Sequence, residues 1–442
     1  MRALRAVALG AVVALTVGVA TVPAAAQGSD EKPESTEIGI SADEIRIAVV
    51  ADVENPLAPG LFEGAPNGVK GFAKYINSKG GLAGRKVVVD FIDSHLSPDD
   101  ARNAIIKACS EDFAIVGTAA LFLNNVDDMV GCVDKAGVAT GLPEIPIVTT
   151  EAVQQCSPVS FPVNAPQLLC STKDEHPQTF RANRGTVQYY QRVLDKNLHG
   201  VFAYSNDLKS ASAAGLVLAR GSQAGGVKSD GEEGISGRAP QSAFTPLVQL
   251  MKDSGSNYSL GTGPFTSTVA LRKEAKLQGV DPDDVVWDCF SNCYDERLIE
   301  QGGAEIEGQY VTLSQLPFSE TKQNKALANY VKFTGKDKID GFGSYAWVAG
   351  LLFRDAVNSI VEKDGNNALT RKALLDALAQ IHDFDGDGMW GTTDIGNRVP
   401  TPCFMLTQVQ DGEFTRVYPK KAGTLDCKQS NQIEIEEDLL GA

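Results

Sequence analysis

The chain has 442 residues, of which 43% are hydrophobic and 22% charged, with a formal net charge of −16. Such a length suffices for two domains of about 100–200 residues each. The acidic balance, with Lys and Arg scattered, excludes a nucleic-acid surface, which needs clustered cations, and describes a solvated acidic exterior.

Arg2 and Arg5, an apolar run from Ala6 to Ala20, and Val22-Pro23-Ala24-Ala25-Ala26 form a signal-peptide pattern over residues 1–26. The run is short for a membrane span, and no cysteine near the cut marks a lipid anchor. Export to the periplasm, cell envelope or exterior is therefore expected. The polar residues 27–44 read as a flexible lead-in.

Ile45 to Ala51 is an apolar, β-branched strand. After the loop Asp52 to Pro66, apolar residues Val69, Phe72, Ala73 and Ile76 repeat at helical spacing. Asn77 to Gly84 ends that helix with glycines, and Arg85 to Asp93 is the next strand. This βαβ unit winds a parallel sheet. Ser97-Pro98-Asp99-Asp100 is an N-cap, a first-turn proline and acids suited to the helix dipole, predicting a helix to Cys109. Phe113–Gly117 reads as a strand, Val126–Ala136 as a helix and Ile145–Val148 as a strand. The alternation is that of a doubly wound sheet, with ligand space at its carboxyl edge.

Cys156 to Pro177 interrupts the rhythm as a surface insertion. A second series starts with a helix at Thr186–Leu198 and a strand at Gly200–Tyr204. Helices follow at Ala211–Arg220 and Phe244–Lys252, with a glycine-rich stretch, Gly221–Gly237, between them. Val269–Gln278 is a helix, Asp284–Trp287 and Gln309–Leu313 are strands, and Tyr345–Val361 is a long helix. Thr401–Gln410 and Glu413–Val417, joined by Asp411-Gly412, form a hairpin.

Eight cysteines in an exported chain read as disulfides. Closeness in sequence pairs Cys289 with Cys293, Cys156 with Cys170 and Cys403 with Cys427, leaving Cys109 with Cys132.

The run Ile76-Asn77-Ser78-Lys79-Gly80-Gly81-Leu82-Ala83-Gly84, followed by Asp93 and Ser97-Pro98-Asp99-Asp100-Ala101, resembles the leucine/isoleucine/valine-binding family of type I periplasmic binding proteins of ABC importers. Ile115-Val116-Gly117, Pro146-Ile147-Val148-Thr149, Phe180-Arg181, Phe244-Thr245-Pro246-Leu247 and Ser344-Tyr345-Ala346 support it in order. The resemblance implies an α/β fold of two doubly wound parallel-sheet lobes joined by three crossovers, near Ala182–Gly185, Thr312–Gln315 and Arg398–Pro402. Lobe 1 would comprise residues 45–183 and 314–398, lobe 2 residues 184–313 and 399–420, and 421–442 a C-terminal tail.

Carried over by position, the resemblance places ligand contacts at Leu61 in the first loop and at Leu121 and Phe122, beside Ala120, where amino-acid binders hold the carboxylate. Thr150 and Glu151 follow at the next strand end, and Asn206, Phe265, Thr266 and Asn292 lie in the second lobe. Tyr345 enters from the long helix. The acidic residue that would hold an ammonium group falls at Ser291-Asn292, and the cysteine pair of leucine-binding proteins falls at Leu96 and Ala120. A free amino acid needs charge-matched partners, since buried unpaired charge is costly. Leu61, Leu121, Phe122 and Phe265 offer apolar contact instead, which suits a hydrophobic or aromatic ligand; backbone N–H groups at helix starts could still hold an amino-acid carboxylate.

Asp383, Asp385 and Asp387, with Gly388 and Asp394, match the spacing of a calcium loop. The twelfth residue is Asp rather than Glu and no helix follows, so a solvated acidic turn competes. His95, His176, His199 and His382 are dispersed, and no nucleophile elbow occurs. His95 and Glu151 reach the cleft rim as solvated loop residues. The expectation is a non-enzymatic, monomeric solute-binding protein without cofactor. It would capture a hydrophobic or aromatic compound, or a branched-chain-type amino acid, for the permease and ATPase of an ABC importer. The alternative is a secreted sensor or scavenger without a transporter.

Overall fold

In the computed structural model of the chain, the described residues are 31–54, 59–164, 167–194 and 197–439. The expected signal peptide and Pro56, Leu57 and Ala58 of the first loop lie outside them. The first sheet is parallel, in the order β2-β1-β3-β4, from β1 (Glu44–Ala51), β2 (Lys86–Asp93), β3 (Ala114–Val116) and β4 (Glu144–Ile145). Ile45, Ile47 and Val49 of β1 enter one core cluster, while Ala48 and Val50 enter another on the opposite face. That two-sided burial is why the strand reads as a continuous apolar run. Helix α1 (Gly64–Asn77) covers the first face and α2 (Pro98–Glu111) the second.

The motif at the end of α1 has a specific mechanical role. Gly81, at φ +88°, donates its N–H to the Ile76 carbonyl, and a Cβ there would lie 1.9 Å from the Arg85 carbonyl oxygen. Asn77 then bonds both backbone groups of Val87, each at 2.8 Å, and so fastens the helix end to β2.

Short α3 (Asp127–Val130) and α4 (Ala152–Gln155) follow β3 and β4. The helix expected over Val126–Ala136 stops at Val130. The Asp134 carboxylate collects the N–H groups of Ala136 and Val138 and the Thr140 hydroxyl, a local turn that competes with helix. Next come β5 (Gln178–Asn183), α5 (Gly185–Leu194), β6 (His199–Tyr204), α6 (Lys209–Ala224), β7 (Lys228–Gly234), α7 (Thr245–Ser254), β8 (Tyr258–Gly261), α8 (Phe265–Leu277), β9 (Val286–Cys289), α9 (Glu296–Gly302) and β10 (Tyr310–Leu313). Strand β7 falls inside the glycine-rich stretch read as a connection; it is a polar edge strand, so no apolar alternation announces it. Helices α10 (Lys325–Thr334), α11 (Gly341–Asp364) and α12 (Arg371–Leu378) return to the first core. There α11 lies against α1 so closely that a Cβ on Gly68 would meet the Gly343 oxygen at 2.1 Å.

The hairpin β11 (Met405–Gln410) and β12 (Glu413–Tyr418) completes a seven-stranded sheet, β12-β11-β10-β9-β8-β6-β7. Only β11 opposes the other strands, so its pairings with β10 and β12 are the antiparallel ones. The last strand, β13 (Gln432–Glu437), lies in the segment read as a tail and pairs antiparallel with β5 over six residues.

The lead-in is likewise held over its described part. Ile40 is buried, and Thr36 donates its hydroxyl to the Leu369 carbonyl. Buried Arg85 donates to the carbonyls of Glu34, Ser41, Ala83 and Asn366. Disulfides join Cys109–Cys132, Cys156–Cys170, Cys289–Cys293 and Cys403–Cys427. No helix among the described residues is long and apolar enough to cross a membrane.

Candidate functional site

The first half of the site is built at the carboxyl ends of β1, β3 and β4. Asp52, buried immediately after β1, accepts the Ser94 hydroxyl at 2.6 Å and the N–H groups of Leu96 and Leu121 at 2.8 Å each. The Thr150 hydroxyl donates to the Leu121 carbonyl at 3.0 Å, and Gln155 binds the carbonyls of Thr149 and Thr150. Leu121 is thus held from both sides with its side chain half-buried. Leu61 and Leu121 pack against the same core. Phe62, next to Leu61, is itself core, and Phe62, Phe342, Tyr345 and Trp390 form a chain of edge-on rings behind the first loop. Phe122 is half-buried on the Leu121 loop, and Glu151 half-buried at the start of α4.

The second half lies at the carboxyl ends of β8 and β9. Phe265 opens α8, half-buried, with the Arg297 guanidinium 5.2 Å from its ring centroid. Thr266 is exposed beside it. The Asn292 amide donates to the Gly263 carbonyl, inside the loop closed by Cys289–Cys293. Behind it, Ala203, Tyr204, Gly261, Gly263 and Ser267 line a cavity of about 10 Å³, the size of a single water. Asn206 is turned to the sheet edge, where its amide donates to the Gly234 carbonyl at 2.7 Å.

The lobes meet at α11. Gly341 donates its N–H to the Tyr294 carbonyl at 3.1 Å. Tyr345 is 4% exposed; burial pushes its hydroxyl up to about 12, countered by a hydrogen bond with Ser291. Asp340 caps α11 by accepting the Gly343 N–H at 2.6 Å, and burial raises its carboxyl to about 6. Arg297 holds Asp295 through Nε and Nη2 and feels Asp340 and Glu63. Its Nη1 lies 3.7 Å from where a Gly60 Cβ would stand, so this arginine of α9 faces the first loop of the other lobe. Sequence reading missed Arg297, Phe342 and Trp390. They lie far along the chain from the loops they face, and only an i, i+2 acid–base pair, Asp295 and Arg297, hinted at the first.

Among the described residues, the four acids at the calcium spacing are not gathered into one ligand cluster. Arg354 takes Asp387 through two bonds of 2.8 Å, and Asp394 pairs with His382 at 2.7 Å and with Asn397. Phe384 and Trp390 are buried, so the segment is a bridged turn seated on the core. Among the described residues, Glu54, Asp93 and His95 bring one ligating atom each within 4.8 Å at the rim. The Asp93 carboxylate is already accepting the N–H groups of Val53, Glu54 and His95, which makes it a loop clamp.

Two parallel-sheet lobes facing each other with their loop ends, crossed three times by the chain, define a two-lobed cleft-binding protein. The family model for periplasmic binding proteins matches residues 44–413, and the chain belongs to that family, whose members bind solutes rather than catalyse. Solved structures share the fold at low identity. An ABC transporter substrate-binding protein of Aeropyrum pernix is 15% identical, covering 88% of this chain and 97% of its own, at a TM-score of 0.67. A leucine-binding protein of Thermotoga maritima is 13% identical, with 84% and 97% covered and a TM-score of 0.62. A fatty acid ABC transporter substrate-binding protein of Thermomonospora curvata is 17% identical, with 88% and 97% covered and a TM-score of 0.63. Comparison with curated proteins finds no match.

Proposed function

We propose that the protein is the exported solute-binding component of an ABC importer and closes on a small organic ligand with an apolar body. The observation that carries this reading is the apolar character of the facing loops. Leu61 and Leu121, the latter fixed by Asp52 and Thr150, present the first lobe, and Phe265 presents the second. Apolar lining with few placed polar groups favours a hydrophobic or aromatic compound over a free amino acid. The solved relatives described as binding leucine and fatty acid have ligands in common only as a carboxylate on an aliphatic body, so an organic acid is the class tested first. Permease and ATPase are the expected partners, and lobe closure the signal they read.

A thermal-shift screen of the secreted protein should compare leucine, isoleucine and valine with aromatic, alicyclic and fatty acids. A ligand that binds the folded state alone raises the melting temperature by mass action. Stabilisation by the organic acids supports the reading. Stabilisation by branched-chain amino acids alone replaces the ligand class, and saturable turnover of any of them removes the binding-protein reading.

A further inference from the structure

A second cavity lies away from the interlobe cleft. Its walls are Arg272 and Lys276 in the C-terminal half of α8, Val280 and Pro282 before β9, Trp287, and Ala304 with Glu305 before β10. A helix that follows a parallel strand starts at the carboxyl edge and ends near the amino edge, where the next strands begin. This cavity is therefore at the amino edge of the second sheet, whereas ligand crevices of such sheets open at the carboxyl edge. Its volume is about 60 Å³, several times what one water needs.

The buried charge in its wall makes it more than a void. Arg272 is 3% exposed. Its guanidinium stacks 4.5 Å from the Trp287 ring centroid, donates to the Glu307 carbonyl at 2.9 Å and reaches Gln309 Oε1 at a long 3.4 Å. Among the described residues it forms no ion pair; Glu305 and Glu307 act on it only at longer range, and burial lowers its ordinary value to about 9. A guanidinium carries five N–H donors, so two neutral acceptors leave it short of partners. Buried charges are normally paired. Lys276, one turn on, adds a second positive charge at the rim. The rest of the wall is apolar at Ala275, Val280, Pro282, Trp287 and Ala304, with the Glu305 carboxylate as its one acid against the two cations.

We propose that this cavity binds a short monocarboxylate, its oxygens on the Arg272 fork and its alkyl stub against Trp287, Val280 and Pro282. A planar carboxylate matches the guanidinium edge, and the volume limits the chain to a few carbons. The site is independent of the interlobe ligand.

The test is calorimetric titration of the whole secreted protein with formate, acetate and propionate against chloride at matched ionic strength. Saturable acetate binding is expected in the wild type, weakened by about tenfold or more in both Arg272→Met and Ala304→Leu. Ala304 is exposed at the rim, so its leucine fills the mouth without disturbing the buried arginine and decides the case if Arg272→Met does not fold. Absence of saturable heat in the wild type overturns the proposal, as does acetate binding unchanged in Ala304→Leu. So does a crystal structure grown in acetate that shows only water beside Arg272.

Discussion

Asp52 accepts the backbone N–H of Leu121 through one carboxylate oxygen at 2.8 Å, while its other oxygen holds Ser94 and Leu96. One buried acid at the end of β1 thereby sets three loops that border the cleft. Asp52→Ala removes the acceptor and leaves three donors to rehydrate or stay unpaired, at about 1–3 kcal/mol for each that stays buried. Its denaturation midpoint should fall clearly, and binding of the cleft ligand should weaken with it. Asp52→Asn retains an amide oxygen and should fall between. An unchanged midpoint in Asp52→Ala would remove the hub.

Asp288, fully buried in the second lobe, accepts Tyr190 and Tyr258 hydroxyls at 3.0 Å each. Burial raises its carboxyl to about 7 despite those bonds. The unfolded chain releases this proton near the ordinary carboxylate value while the folded one keeps it. Between about pH 4 and pH 7 the native state binds more protons, so stability contributed here is present at low pH and lost as pH rises through that window. Asp288→Asn should flatten this part of the stability–pH curve and melt higher than wild type at pH 8. Parallel curves for the two proteins would contradict it.

The C-terminal strand ties two crossovers together. β13 pairs with β5 over six residues, Asn431 donates to the Pro402 carbonyl, and Gln432 donates to the carbonyls of Pro400 and Thr401. Arg220 adds an ion pair to Glu437. Truncation after Lys428 should leave the core folded but expose β5, so hydrogen exchange across Gln178–Asn183 should accelerate by an order of magnitude or more while β1 keeps its protection. Uniform exchange in both segments would show that β13 stabilises the whole molecule instead.

Buried Arg85 collects four backbone carbonyls and anchors the segment before β1. Arg85→Met leaves those acceptors without their donor and should destabilise by roughly 2–4 kcal/mol, on the scale of a broken buried network. Limited proteolysis near Glu34–Ser41 should become faster. Wild-type resistance there would show that Thr36 and Ile40 hold the segment alone.

Because Arg354 and His382 already occupy Asp387 and Asp394, calcium addition and chelation should both leave the melting temperature unchanged. A calcium-dependent rise that Asp385→Asn abolishes would restore the cation loop.

Much of the fold was legible because it rests on short-range patterns. Apolar periodicity exposed the βαβ unit, Ser97 and Pro98 marked the start of α2, and cysteines close in sequence lie close in space. What escaped depends on distant partners. β7 and β13 are polar and gain their strand character only from pairing with β6 and β5. Asp134 stopped a helix by a local turn, and two of the four acids at calcium spacing, Asp387 and Asp394, were claimed by Arg354 and His382.

The same division holds for the cleft. From its own residues, the sequence determined two α/β series and an Asn-x-Lys-Gly-Gly helix stop, since each is written in neighbouring positions, and the family resemblance added the comparison of its apolar loops with those of amino-acid binders. Only the tertiary structure decided that Leu121 hangs between Asp52 and Thr150, that the Asn206 amide is taken by the Gly234 carbonyl, and that Arg297 stacks on Phe265 while facing the opposite lobe. Side-chain partners across a fold follow from three-dimensional distance and competition for donors, and neither is encoded in spacing along the chain.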